Sequence, residues 1–131
     1  MRVKENVMAS IFTKIINGEL PCYKIYEDEK TFAFLNINPE ARGDTLVVPK
    51  VEVDKIYDLA DEDYSALWLA VKKVAKHMEE VTGRRTIMKV IGKDVPHAHV
   101  HVMPLDDSWE EDRIIKMSDE ELREACAELA F

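Results

Sequence analysis

Apolar residues recur along this chain in short runs bounded by turn-forming residues, with one longer stretch at helical spacing. Between Asp61 and Thr82 the apolar positions Leu67, Ala70, Val71, Val74, Met78 and Val81 step by threes and fours, and Gly83 follows. That spacing predicts one long amphipathic helix with a glycine stop. A second, shorter pattern, Ile11-Phe12-Thr13-Lys14-Ile15-Ile16 before Asn17-Gly18, predicts a short N-terminal helix. The β-prone runs Cys22 to Tyr26 and Thr31 to Leu35 flank the polar turn Glu27-Asp28-Glu29-Lys30 and read as a hairpin. Asn38-Pro39 and Arg42-Gly43 punctuate a turn before a third strand, Thr45 to Val48, which Pro49 ends. Arg84 to Ile91 and His97 to Met103 are two further strand-like runs joined by Gly92-Lys93-Asp94-Val95-Pro96. Near the end, Ser118-Asp119-Glu120-Glu121 has the form of a capping box opening a helix through Ala130. The expected architecture is α+β: a mainly antiparallel five-stranded sheet with one long helix and a short N-terminal one.

Composition narrows the partners. With 131 residues and 47% hydrophobic content the chain suits a single domain. Its 26 acidic residues against 18 basic ones give a formal net charge of -8. That balance argues against a nucleic acid polymer as partner, although a few local donors can still hold a mononucleotide phosphate. Cys22 and Cys126 lie far apart without C-x-x-C spacing and read as free thiols of a reducing cytosol. Residues 1 to 10 mix Arg2, Lys4 and Glu5 with apolar residues and lack a signal-peptide core. No apolar run approaches membrane-spanning length, so no membrane partner and a cytoplasmic location are expected.

The candidate chemistry is concentrated in one place, because three of the four histidines stand at 97, 99 and 101. On a strand, residues two apart share a face, so the three rings would form a row about 6.5 to 7 Å apart at their Cα atoms. Ala98, Val100 and Val102 would face the core. Three readings stand open at this point. The rings are structural and hydrogen-bonded, or they hold a metal as H-x-H pairs can, or one neutral imidazole attacks phosphorus while its neighbours move protons. The fourth histidine, His77, falls on the polar side of the long helix.

The segment Pro96-His97-Ala98-His99-Val100-His101-Val102-Met103-Pro104 resembles the signature of the histidine triad (HIT) family. The resemblance extends upstream through Ile11-Phe12-x-Lys14-Ile15-Ile16-x-Gly18-Glu19-x-Pro21, Phe34-Leu35-Asn36-Ile37-Asn38-Pro39 and Gly43-Asp44-Thr45-Leu46-Val47-Val48-Pro49-Lys50. It divides the chain into an N-terminal tail (1–8), a HIT domain (9–104) and a C-terminal extension with a helix (105–131). The family implies a homodimer that hydrolyses or transfers nucleoside monophosphates, often AMP, from phosphoramidates, acyl-adenylates or dinucleoside polyphosphates, without a cofactor. His99 matches the nucleophile, His101 the group that binds the phosphate and helps protonate the leaving group, and His97 a supporting position. Asn36, with Ile37 beside it, matches the ribose-binding position. Ile11, Phe12, Ile15 and Phe34 match the apolar lining around the base, and Gly92, Lys93 and Asp94 match the loop that cradles the phosphate.

The chain also departs from the family pattern. Many relatives hold a structural zinc with C-x-x-C in the first helix, a histidine after the V-P-K segment, and the first triad histidine. Here those positions are Ser10, Thr13, Glu52 and His97, and no metal is expected. Glu52 would then pair with His97 or face water. Asp44 replaces a histidine after the loop glycine and reads as a turn residue. Asp94 would repel a phosphate that relatives bind with Gln and Ser or Thr, with Lys93 as compensation. The leading reading is a phosphoramidase-like nucleotide hydrolase, dimeric through its long helix and a strand edge. The alternatives are a dinucleoside polyphosphate hydrolase, a nucleotide-binding module without catalysis, and a metal-binding protein. Trp68 is expected in the core or a dimer interface, and Trp109 as a surface or interface anchor.

Overall fold

A computed structural model of the chain describes residues 10–93 and 95–131. The N-terminal tail and Asp94 lie outside the described residues. In chain order the elements are α1 (Ile11–Ile16), β1 (Lys24–Glu27), β2 (Thr31–Leu35), β3 (Thr45–Pro49), a 3-10 turn (Ile56–Asp58), α2 (Asp61–Thr82), β4 (Thr86–Lys89), β5 (Val100–Pro104) and α3 (Asp119–Leu129). The strands form one antiparallel sheet in the order β1-β2-β3-β5-β4.

The two-residue alternation of the strands sorts side chains onto two different faces. One face carries Ala33, Leu35, Val47, Val100 and Val102 into the main core against α2. From α2 that core receives Leu67, Ala70, Val71, Val74 and Met78. Val81, expected on the same stripe, lies in the last turn of the helix and is 39% exposed. Asp61, Glu62 and Asp63 place negative charge at the positive end of the α2 dipole, and Gly83, at φ 70°, closes its other end with an N–H bond to Glu79 O. The other face carries Phe32, Phe34, Leu46 and Val48, which pack with Phe12 of α1 in a smaller cluster.

Short range chemistry sets the joints. Asp28 Oδ1 accepts from the Lys30 and Thr31 amides and the Thr31 hydroxyl, which turns β1 into β2. Gly43 sits at φ 96°, and a Cβ there would come within 3.0 Å of Leu129 and 3.1 Å of Pro104, so only glycine fits. The capping box of α3 is formed in both directions, from Glu121 N to Ser118 Oγ (3.1 Å) and from Ser118 N to Glu121 Oε1 (2.8 Å). Caps of this kind contribute about 1 kcal/mol. Through Leu122, Ala125 and Leu129, α3 packs into the main core, so the C-terminal helix is part of the domain's interior. Half-buried Trp68 packs against that core. His77 is half-buried, not on an open polar face, and its ring stacks on Phe131 at 4.0 Å.

One expectation about the sheet needs correction. The last strand begins at Val100, not at His97, and β4 covers only Thr86–Lys89. The ladder from β3 runs out at the pair Val47↔Val100. Beyond it, His97 N turns back to Val95 O (2.8 Å), Ala98 N bonds Val53 O (2.7 Å), and the carbonyl of Pro49 accepts from an imidazole in place of a backbone N–H. Among the described residues, no helix is long and apolar enough to cross a membrane.

Candidate active site

The face of the sheet that carries α1 opens into a cleft of about 630 Å³, lined by residues from α1, β2, β3, β5 and the loop 36–40, and by Ile91, Lys93, Val95, Asp112 and Ile114. That volume lies in the range of small-molecule sites. Ile11, Phe12, Ile15, Phe34, Asn36, Ile37, Lys93, His99 and His101, all singled out from the sequence, line it. Gly92 lies in the neighbouring loop at φ 63° and does not line the cleft. His97 does not line it either.

The three histidines are thus not a uniform row. His99 and His101 are neighbours with ring centroids 5.4 Å apart at 65°, and the edge contact of Phe12 at 5.2 Å buttresses His99 from the side of α1. His97 is completely buried beneath α1, its ring 5.8 Å from Phe12. This placement follows from the coil at 97–99, which frees the ring of His97 from strand alternation.

Proton positions follow from the partners. The Nε2 of His97 lies 2.7 Å from Pro49 O, and a carbonyl can only accept, so Nε2 carries the proton and Nδ1 the lone pair. That lone pair accepts from the Ser10 hydroxyl at 2.8 Å. Burial pushes the His97 imidazole below its ordinary value, against the bond to Pro49 and the charge of Glu52, both of which act upward. The ring is therefore neutral at pH 7. In the same way His99 Nδ1 lies 2.7 Å from His97 O and donates to it, which leaves the lone pair on Nε2.

Behind His101 stands Asp44, which closes the turn as expected and has a second role. Its side chain is fully buried, with Oδ1 3.4 Å from His101 Nδ1. Its Oδ2 accepts from Glu40 N at 3.1 Å and Asn36 Nδ2 at 3.3 Å, and Asn36 Oδ1 accepts from Asn38 N at 2.9 Å. One carboxylate therefore orients both a triad histidine and the amide of Asn36. A side chain 57 residues away from its partner in sequence left no local signal of this contact.

The loop after β5 supplies the wall that the sequence did not assign. Ile115 N bonds Pro39 O at 2.8 Å, and Trp109 Nε1 donates to Glu40 Oε1 at 3.2 Å, so Trp109 anchors the loop within its own chain. The same carboxylate holds Lys89 Nζ at 2.8 and 2.9 Å with both side chains largely buried. Burial acts to raise the Glu40 carboxyl, but the bonds from Lys89 and Trp109 outweigh it and hold the group below the usual carboxylate range. The anchored loop presents Asp112, at φ 66°, and Ile114 to the cleft.

Glu52 is exposed and makes no direct bond to His97. Its Oε1 accepts from Ser10 N at 2.8 Å and Thr13 Oγ1 at 2.6 Å, and the Thr13 bond leads in holding its carboxyl low. The four positions where relatives place zinc ligands thus meet in space, but the donor set is two hydroxyls, one carboxylate oxygen and one imidazole nitrogen already occupied by Ser10. No thiolate is present, and among the described residues no group of three or more His, Cys, Asp or Glu comes together. These residues do not fit a tetrahedral zinc.

One antiparallel sheet, cored by a helix on one face and opening on the other into a cleft that ends at two imidazoles, defines an α+β small-ligand-binding domain. The chain belongs to the histidine triad family, whose HIT domain model matches residues 17–108. Over 99 residues it is 35% identical to the adenosine 5′-monophosphoramidase of Schizosaccharomyces pombe, covering 74% of this chain and 74% of that protein. A crystal structure of a HIT-like protein from Bartonella henselae superposes with a TM-score of 0.83 at 29% identity, covering 93% and 94% of the two chains. A zinc-bound histidine triad family protein from Mycobacterium smegmatis superposes with a TM-score of 0.75 at 28% identity over 93% and 96%.

Proposed function

We propose that this protein cleaves a nucleoside monophosphate, AMP first among them, from a phosphoramidate or acyl-adenylate through a covalent intermediate on His99. It is an enzyme of the hydrolase class to which its monophosphoramidase relatives belong. The observation that carries the mechanism is the bond from His99 Nδ1 to His97 O, which puts the nucleophilic lone pair on Nε2 of a cleft-lining ring.

The steps follow from that tautomer. Nε2 of His99 attacks the α-phosphorus while the bond to the leaving group breaks, and His101 delivers a proton to the departing nitrogen or oxygen. Water then attacks the nucleotidyl-histidine, giving its proton back to His101 and releasing the nucleoside monophosphate and neutral His99. Acid-base help of this kind is worth about 100- to 10,000-fold. The buried carboxylate of Asp44 beside Nδ1 compensates the positive charge that His101 carries before the first step and regains in the second. His97 supports the reaction through its carbonyl.

The base fits the apolar end formed by Phe12, Ile15 and Phe34. Asn36 has used one N–H and one oxygen lone pair on Asp44 and Asn38, so its remaining donor and acceptor match ribose hydroxyls, with Ile37 beside them. Lys93, which lines the cleft, supplies the phosphate side. A homodimer is part of the proposal, because α2 leaves Tyr64 and Leu69 exposed and β4 is a sheet edge with Met88 exposed. Light scattering on the wild type and Leu69→Lys checks it.

The decisive experiment is incubation with α-labelled adenosine phosphoramidate and acyl-adenylate, with a dinucleoside polyphosphate for comparison. Turnover with acid-labile label on the wild type and none on His99→Ala is expected. Label retained on His99→Ala removes His99 as nucleophile, and a nucleotide-induced thermal shift without any turnover replaces the enzyme by a binding module.

A further inference from the structure

The histidine that stands outside the cleft is tied into a cluster that the reaction, as described, does not use. Ser10 is 4% exposed, caps α1 by accepting from Thr13 N at 3.0 Å, and gives its hydroxyl proton to His97 Nδ1 at 2.8 Å. The Ser10 amide and the Thr13 hydroxyl both donate to one oxygen of Glu52, at 2.8 and 2.6 Å. On the far side of the ring, His97 Nε2–H reaches Pro49 O at 2.7 Å, at the end of β3. The cluster therefore joins three pieces distant in sequence: the start of α1, the loop after β3 and the entry to β5.

Each member has its proton roles fixed by the next. Glu52 accepts from the Ser10 amide and the Thr13 hydroxyl, and so holds the first turn of α1 in place. Ser10 can then give its single hydroxyl proton to His97, whose Nδ1 has to be the lone-pair nitrogen because Nε2–H serves Pro49. With the ring held at both nitrogens, the backbone of His97 is held as well, and its carbonyl is the acceptor for His99 Nδ1–H at 2.7 Å. Phe12, on the helix that Glu52 and Ser10 anchor, presses on His99 from the other direction.

We infer that Ser10, Thr13 and Glu52 are positioning residues for His99, forming a metal-free clasp at the place where relatives bind zinc. The inference rests on the proposed role of His99 for its kinetic consequence but not for its structural one. A metal would fix His97 by coordination, whereas here a carboxylate and two hydroxyls fix it by directed protons. The sequence change from soft ligands to Ser, Thr and Glu is then an exchange of one constraint for another and not a loss.

The test uses the full-length protein purified without added metal, with Ser10→Ala, Ser10→Thr and Glu52→Gln. Nitrogen-15 NMR of the imidazoles is expected to show His97 as the Nε2–H tautomer throughout, with its Nδ1 signal shifted upfield by the bond accepted from residue 10 in the wild type and in Ser10→Thr, and that shift lost in Ser10→Ala. Metal analysis is expected to find less than 0.1 zinc per chain, with a melting temperature unmoved by EDTA. In turnover, Ser10→Ala and Glu52→Gln are expected to lower kcat about tenfold with KM little changed, and Ser10→Thr to restore it. Stoichiometric zinc in the wild type, a melting temperature lowered by EDTA, or an unchanged His97 Nδ1 signal in Ser10→Ala overturns the inference. Should no nucleotide be turned over, the proposed reaction fails, while the imidazole signals and the metal analysis still decide the clasp.

Discussion

His97 and His99 are two residues apart, carry the same side chain and are both more than 90% buried, yet they sit in opposite surroundings. The ring of His97 is enclosed by a hydroxyl, a carbonyl and the flank of Phe12, with both nitrogens engaged in the protein interior. The ring of His99 lines the cleft and is engaged at Nδ1 by its neighbour's carbonyl. A buried imidazole walled off from any cavity is a structural part, and the same group lining a ligand-sized cleft is placed to act as a reagent. The difference lies in backbone geometry, since the coil at 97–99 sends one ring beneath α1 and leaves the other at the mouth of β5.

The contrast can be broken by removing each ring in turn. His99→Ala is expected to lower kcat by on the order of 10⁴-fold or more with the fold intact, checked by single-turnover kinetics and far-UV circular dichroism. His101→Ala should cost about 100- to 10,000-fold in kcat, also without unfolding the domain. His97→Ala should act first on stability, by about 2 to 4 kcal/mol, since it opens a cavity and strands the Pro49 carbonyl. Urea unfolding measures that loss. Equal loss of stability in His97→Ala and His99→Ala would erase the distinction.

Acid sharpens the contrast further. Because the folded state holds the His97 imidazole below its ordinary value, its contribution to stability is complete above about pH 6.5. As pH falls below that, the unfolded chain takes up the proton first, and the contribution is lost as pH drops through the folded value. The melting temperature of the wild type should therefore fall between pH 7 and 5, and more steeply than that of His97→Gln. The smallest effect belongs to the anchored loop. Ile114→Ser should raise KM about two- to fivefold with kcat unchanged, as expected for an exposed apolar residue on the wall of the cleft.

The elements themselves were legible because each rests on local chemistry. The three- and four-residue steps from Leu67 to Met78 place one stripe of α2 in the core, and Ser118 with Glu121 opens α3 as read. The H-x-H-x-H spacing placed His99 and His101 together, since His99 directly precedes β5, His101 lies on it, and both line the cleft. It did not place His97, because strand alternation holds only where a neighbouring strand pairs, and the partner ladder ends at Val100, three residues short of it.

What the amino-acid order determined by itself is therefore the set of elements, the two-faced sheet and the pair of cleft histidines, all of which depend on neighbours within about four residues. Only the tertiary structure decided the rest: the acid behind His101, the loop that walls the cleft through Glu40, and the clasp of Ser10, Thr13 and Glu52 on His97. Those contacts join residues dozens of positions apart, where directed hydrogen bonds form only after the core has fixed the distances. No periodicity in a chain encodes a proton's direction across such a span.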